Sequence, residues 1–377
     1  MSTEAVPAPM ATTVAPSMRT AETTPLVLPH IGAALAEVER RLELVLDEAV
    51  RRSGRHAPQY QDLWRAVRST TRGGKRLRPR LLLAAFLHLG GTRLEPAIEL
   101  AVAVELLHTA LLVHDDVIDG DVERRGAPNV VGSFALAGRS EGLSEQAARR
   151  WGEHAALLAG DLLLTSALRI TARLDLDHVR RTALVELVDE SVFRAAAGEL
   201  ADVAYAAGLA TPSASDIRRL MADKTAHYSL ELPLRAAAVI GGSPDWMGDR
   251  LGAIGHRLGL VFQMRDDLLG VFGSAAETGK SDWNDLREGK QTLLVAYARG
   301  TAQWAEVAHL FGREDLDEAG ADVLRTALET SGARDRLERE IHKERDTALA
   351  LIDGAGLPEA LAGLLADEAR RAAERRS

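Results

Sequence analysis

An all-α domain is the fold class this sequence predicts, on three observations. Of its 377 residues 46% are apolar but only 4% aromatic, and Ala and Leu dominate. That balance favours helices, because strands draw on β-branched and aromatic side chains. Apolar residues recur with helical spacing, and no segment alternates convincingly with a period of two. Gly and Pro fall between the periodic segments, where they end one helix and begin the next.

The elements follow in order. Residues 1–29 carry five Pro and no periodicity and are expected to be a disordered tail, leaving 30–377 as one helical domain. Leu35, Val38, Leu42, Val45 and Leu46 mark a first amphipathic helix from Ile31 to Arg52. A second covers about 58–70 and stops at Gly73-Gly74. Pro79 suits the first turn of the third, which Gly90-Gly91 ends. Residues 94–118 read as a long apolar helix, and the Gly-rich stretch from Gly120 to Ser144 as a loop. Helices are expected at about 145–173, 177–208, 214–241 and 245–272, then a polar loop from Gly273 to Gly289, then shorter helices to 375.

Composition bounds the chemistry. With no Cys, disulfides, thiolate metal sites and Cys nucleophiles are excluded, and a cytoplasmic location is expected. No transmembrane segment is expected: the longest apolar candidate, Leu100 to Val113, is interrupted by Glu105 and His108. A net charge of −9 argues against nucleic-acid partners and means that an anionic substrate needs a local basic site or a bound cation. Lys is rare. Only residues 75, 224, 280, 290 and 343 are Lys among 46 basic residues, the rest being Arg. Where either cation serves, this chain uses Arg, so the few Lys mark positions where a compact ammonium is wanted.

Two acidic motifs end apolar helices. Asp115, Asp116 and Asp119 stand at i, i+1 and i+4, so 115 and 119 stack on one face with 116 beside them. Carboxylates at a helix C-terminus oppose the helix dipole. Hard oxygen donors converging there suit Mg²⁺, which binds one or two carboxylates plus substrate phosphates. The second motif runs Phe262-Gln263-Met264-Arg265-Asp266-Asp267-Leu268-Leu269-Gly270. In a bundle, two such helices can point both carboxylate sets into one cavity.

The basic segments alternate with the acidic ones. Gly73-Gly74-Lys75-Arg76-Leu77-Arg78-Pro79 lacks any acid, and its glycines and following helix start suit an anion. Arg124-Arg125 follows the first acidic motif, Lys224-Thr225 lies on a mid-chain helix, and Lys280 and Lys290 flank the polar loop. Metal ligands alternating with phosphate cations meet the needs of a protein that binds more than one diphosphate.

Taken together, these motifs resemble those of the trans-isoprenyl diphosphate synthases, from about residue 31 to the C-terminus. The resemblance implies a single large helical bundle of the isoprenoid synthase type with a central cavity, a homodimer, and about three Mg²⁺ ions. It implies that Asp115, Asp116, Asp119, Asp266 and Asp267 hold the metal against an allylic diphosphate, with Arg124, Lys224, Thr225, Gln263 and Lys280 completing that site. Lys75, Arg78, His108 and Arg125 would bind isopentenyl diphosphate, and Lys290 would close over the diphosphates. Two positions depart from the family pattern. Gly270 stands where the second motif usually has a third Asp, and Gly198-Glu199 stands where Gly-Gln is common.

The implied reaction is head-to-tail condensation. Ala110 and Leu111 lie five and four residues before Asp115, roughly 6–7.5 Å below it at about 1.5 Å per residue. Bulky aromatics near here stop chain growth early in the family. Their absence leads to an expected product of geranylgeranyl (C20) diphosphate, with farnesyl or longer chains as alternatives. A terpene cyclase needs one diphosphate site only, and the Gly-Gly-Lys-Arg segment argues against it. A non-catalytic partner subunit is the other alternative, motivated by Gly270.

Overall fold

The computed structural model describes residues 24–273 and 283–375, and within them the regular structure is helical apart from one hairpin of two-residue strands. The first helix, α1 (Thr24–Ser53), begins inside the segment expected to be a tail, whose residues 1–23 lie outside the described residues. It is followed by α2 (Pro58–Thr71), α3 (Leu77–His88) and α4 (Leu94–Ile118). Helix α4 packs against α1, α3, α6 (Glu145–Thr171) and α9 (Leu232–Gly241). By length and mean hydropathy (1.7) α4 could cross a membrane, but 78% of its apolar window is buried inside the protein. Its apolarity is therefore that of a core helix, enclosed by its neighbours.

The stretch from Gly120 to Ser144 is not a loop throughout. It contains β1 (Glu123–Arg124), antiparallel to β2 (Ala127–Pro128), and α5 (Val130–Ser140). The hairpin turn is Arg125-Gly126, both at positive φ (56° and 72°), as a two-residue hairpin turn requires. Asn129 caps α5, its side-chain oxygen accepting from the Gly132 N–H at 2.9 Å.

Next comes α7 (His178–Ala206), then α8 (Ala214–Met221), α9, and α10 (Asp245–Phe272). Between α8 and α9 the chain forms a π-helical segment, Ala222–Glu231. The expected helix 214–241 thus exists as one path with a wide middle. Pro233 marks its end: lacking an N–H, it cannot give the bond to residue 229 that a regular turn needs. Such π segments recur at functional sites. The rest is α11 (Asn284–Arg287), α12 (Leu293–Ala298), α13 (Ala302–Val307), α14 (Glu318–Thr330), α15 (Ala333–Gly354) and α16 (Glu359–Glu374). Helix α10 runs through both hydrophobic cores. Leu251, Ile254 and Leu258 join the core around α4, while Val261, Met264 and Leu268 join a second core with α12, α14 and α15. It thereby fixes the second acidic motif against the rest of the bundle.

Candidate active site

The first acidic motif sits where α4 ends. Asp116 is buried and accepts two bonds from Arg124, at 2.8 Å (Nε) and 2.5 Å (Nη2), while its Oδ2 is buried without a partner. Arg124 also approaches Asp115 at 3.7 Å. The hairpin turn divides the two arginines: Arg124 turns to Asp116, and Arg125 packs on the Gly73-Gly74 loop, donating to the Arg72 carbonyl at 3.3 Å. Asp119 is exposed, yet the surrounding protein strips part of its hydration. Together with the Asp115 charge this pushes its carboxyl up to about 7.

Helix α7 and the π segment complete this cluster. Lys224 reaches Asp202 at 2.7 Å, Glu199 at 2.9 Å and Asp115 at 3.4 Å. Gly198 makes the approach possible, since a Cβ there would lie 2.4 Å from the Lys224 backbone N. Thr225 follows, half-buried. Carboxylate oxygens of Asp115, Asp119 and Glu199 all lie within 4.8 Å of one another. Hard oxygen donors converging beside an unsatisfied carboxylate oxygen fit Mg²⁺.

The second motif presents Asp266, bonded to Arg375 at 2.8 Å, and the buried Asp267, which accepts from the Gln263 amide at 2.8 Å. Burial pushes Asp267 up to about 7, and the neighbouring Asp285 adds to this, while Lys290 opposes it. Arg265, between the helix partners, turns away to Glu338 on α15 at 2.9 Å. Sequence reasoning missed Asp285 altogether. Its carboxylate, on α11, fills the space Gly270 leaves: a Cβ at 270 would lie 2.4 Å from Asp285 Oδ2. Lys290 joins the two motifs. Its ammonium lies 4.0 Å from Asp285, and Asp285, Asp267, Asp202 and Asp119 all raise its affinity for a proton, so carboxylates of both motifs act on it electrostatically. Lys280 lies outside the described residues.

A third group lies beside these. Arg78 donates to Ser229 Oγ at 2.7 Å and stacks over Tyr228, whose hydroxyl lies 3.5 Å from His108 Nδ1. Burial first, and then Arg78, Arg125 and Arg124, drive the His108 ring well below its ordinary pKa, so it is neutral. Lys75 is exposed, and its charge is felt at Asp266. Arg76 has a different part. It adopts the left-handed conformation (φ 45°) and is bound to Glu39 and, at 2.6 Å, to the buried Glu105 of α4. It pins the loop that carries Lys75 to the start of α3, where Arg78 lies. Ala110 is fully buried and Leu111 half-buried on the same helix.

Comparison with known proteins identifies the family. Residues 61–328 match the model of the polyprenyl synthetase family. A geranylfarnesyl diphosphate synthase of Aeropyrum pernix is 33% identical over 276 residues, covering 71% of this chain and 79% of that one. A (2E,6E)-farnesyl diphosphate synthase of Mycobacterium tuberculosis is 31% identical over 310 residues, 81% of this chain and 80% of that one. Among solved structures, a geranylgeranyl pyrophosphate synthase from Corynebacterium glutamicum complexed with isoprenyl diphosphate and magnesium aligns with a TM-score of 0.84 at 29% identity, over 91% of this chain and 99% of that one. The chain belongs to the polyprenyl synthetase family and is a prenyltransferase.

Proposed function

We propose that this prenyltransferase condenses isopentenyl diphosphate head-to-tail with an allylic diphosphate, dependent on Mg²⁺, and that its product is geranylgeranyl diphosphate, with farnesyl or longer chains as alternatives. The observation that carries the reading is Lys290, which feels Asp119 of the first motif together with Asp267 of the second. Carboxylates of both motifs acting on one ammonium support a single diphosphate site formed by the two helix ends together. When bound, Mg²⁺ supplies neutralisation of the charge that grows on the leaving diphosphate. Asp115, Asp116, Asp119, Asp266 and Asp267 are the residues proposed to hold it. Lys224, Arg124, Gln263 and Lys290, with Thr225 and Lys280, hold the allylic diphosphate and stabilise it as the C–O bond ionises. Lys75, Arg78, Arg125 and the neutral His108 hold the second diphosphate so that the isopentenyl double bond faces the allylic cation. The departed diphosphate then takes the proton. Ala110 and Leu111 on apolar α4 lie below the ionising carbon and limit chain growth.

A homodimer is part of this reading. The outer faces of α6 and α7 leave Leu157, Leu158, Phe193 and Leu200 exposed, an apolar surface that a second copy would cover. The test is incubation of the purified chain with Mg²⁺, isopentenyl diphosphate and each allylic primer in turn, followed by product-length analysis. Mainly C20 product supports the reading. Failure to elongate any primer overturns it.

A further inference from the structure

Glu199, like Asp202 and Asp285, is a carboxylate of the site that neither aspartate motif contains. It reaches the site because Gly198 lets α7 touch the π segment. There it joins Asp115 and Asp119, one oxygen of each lying within 4.8 Å of the other two. Adjacent ligands of an octahedral Mg²⁺ at about 2.1 Å stand roughly 3 Å apart and opposite ones roughly 4 Å. The three oxygens therefore need only a small contraction to share one ion. Three carboxylates, Asp115, Glu199 and Asp202, approach the ammonium of Lys224 here. Holding Lys224 does not require Glu199, because Asp202 already binds it at 2.7 Å and lies outside the trio. The glutamine common in the family at this position would bring the same reach without the charge.

We propose that Glu199 is a direct ligand of the Mg²⁺ held by Asp115 and Asp119, a third carboxylate at the first metal site. This rests on the Mg²⁺-dependent reading above. In the full-length chain, Mg²⁺ affinity is measured by calorimetry without substrate and by the Mg²⁺ dependence of condensation. Glu199→Gln keeps the shape and removes the charge. It is expected to weaken Mg²⁺ binding by about tenfold or more, because removing even a partner that only orients a ligand costs about tenfold or more, with a smaller loss of rate at saturating Mg²⁺. Asp202→Asn removes the other partner of Lys224 and is expected to change Mg²⁺ affinity by less than about threefold. Parental affinity in Glu199→Gln overturns the proposal. So do equal losses in both variants, which would mean that Glu199 acts through Lys224. Should the Gln variant not fold, Glu199→Asp decides: a loss of affinity with an unchanged metal-free melting temperature supports the ligand, and unchanged affinity overturns it. If the parent chain itself neither binds Mg²⁺ nor elongates a primer, the Mg²⁺-dependent reading fails, and this proposal with it.

Discussion

Gly270→Ala adds one methyl group where the structure has no room for it. The new Cβ would lie 2.4 Å from Asp285 Oδ2 and 3.1 Å from its Cγ. Carbon and oxygen do not approach so closely, so the carboxylate must retreat by about 1 Å. The helix beneath is anchored, because Leu286 of α11 is buried. The side chain of Asp285 therefore rotates away from Lys290, which it now approaches at 4.0 Å. The pair is half-buried but long, so the lost attraction is worth on the order of 1 kcal/mol. The larger effect is on rate. A misplacement of about 1 Å near the reacting groups costs on the order of 10²-fold, or about 2.7 kcal/mol of barrier. The assay is steady-state condensation of isopentenyl diphosphate with the preferred primer, with thermal melting as the folding control. Gly270→Asp, although it installs the residue usual in the family, is expected to lose at least as much. Gly270→Asp combined with Asp285→Gly moves the carboxylate back to α10 and is expected to recover part of the loss. Parental kcat in Gly270→Ala, or no recovery in the double variant, would refute the reasoning.

Other expectations follow from the same geometry. Ala110→Phe shortens the main product by at least one isoprene unit, and because Ala110 is fully buried it also lowers stability by about 1–3 kcal/mol; products as long as the parent's would place the floor elsewhere. Arg76→Met leaves the buried Glu105 unpaired, which costs about 3 kcal/mol and raises KM for isopentenyl diphosphate; urea unfolding within about 1 kcal/mol of the parent would contradict this. Asp119 and Asp267 both titrate near 7 in the metal-free protein, well above their ordinary 3.8. The folded state thus binds protons that the unfolded chain has released, and the two carboxyls withdraw stability as pH rises from about 4 through 7. Mg²⁺ competes with those protons, so its thermal stabilisation is expected to be larger at pH 8 than at pH 6; an equal or smaller increment at pH 8 would count against these carboxylates as ligands.

The acidic helix ends were legible in the sequence because carboxylates closing an apolar helix defy its dipole, and helix geometry alone stacks Asp115 with Asp119. The order of the bundle was legible from apolar spacing and from Gly and Pro punctuation. Helix α5 was not, because glycine there has another purpose. A Cβ at Gly132 would lie 2.0 Å from the Val122 carbonyl oxygen, so this Gly permits close packing rather than a turn. Asp285 was hidden for a similar reason: its meaning depends on the space above Gly270, which no local pattern reveals. Arg76 read as one more phosphate cation. Its partners Glu39 and Glu105 are remote in sequence, so only the fold shows that it holds the loop rather than the ligand. Arg375 likewise meets Asp266 only because α16 packs on α10.

The most direct test of the shared grip is the position of the metal itself. Crystals of the full-length chain with Mn²⁺ and an unreactive allylic thiodiphosphate would locate the ions by anomalous scattering. Peaks at Asp115–Asp119 and at Asp266, bridged by one diphosphate beneath Lys290, are the expected result. Metal at only one helix end, or a diphosphate bound away from both, would contradict it.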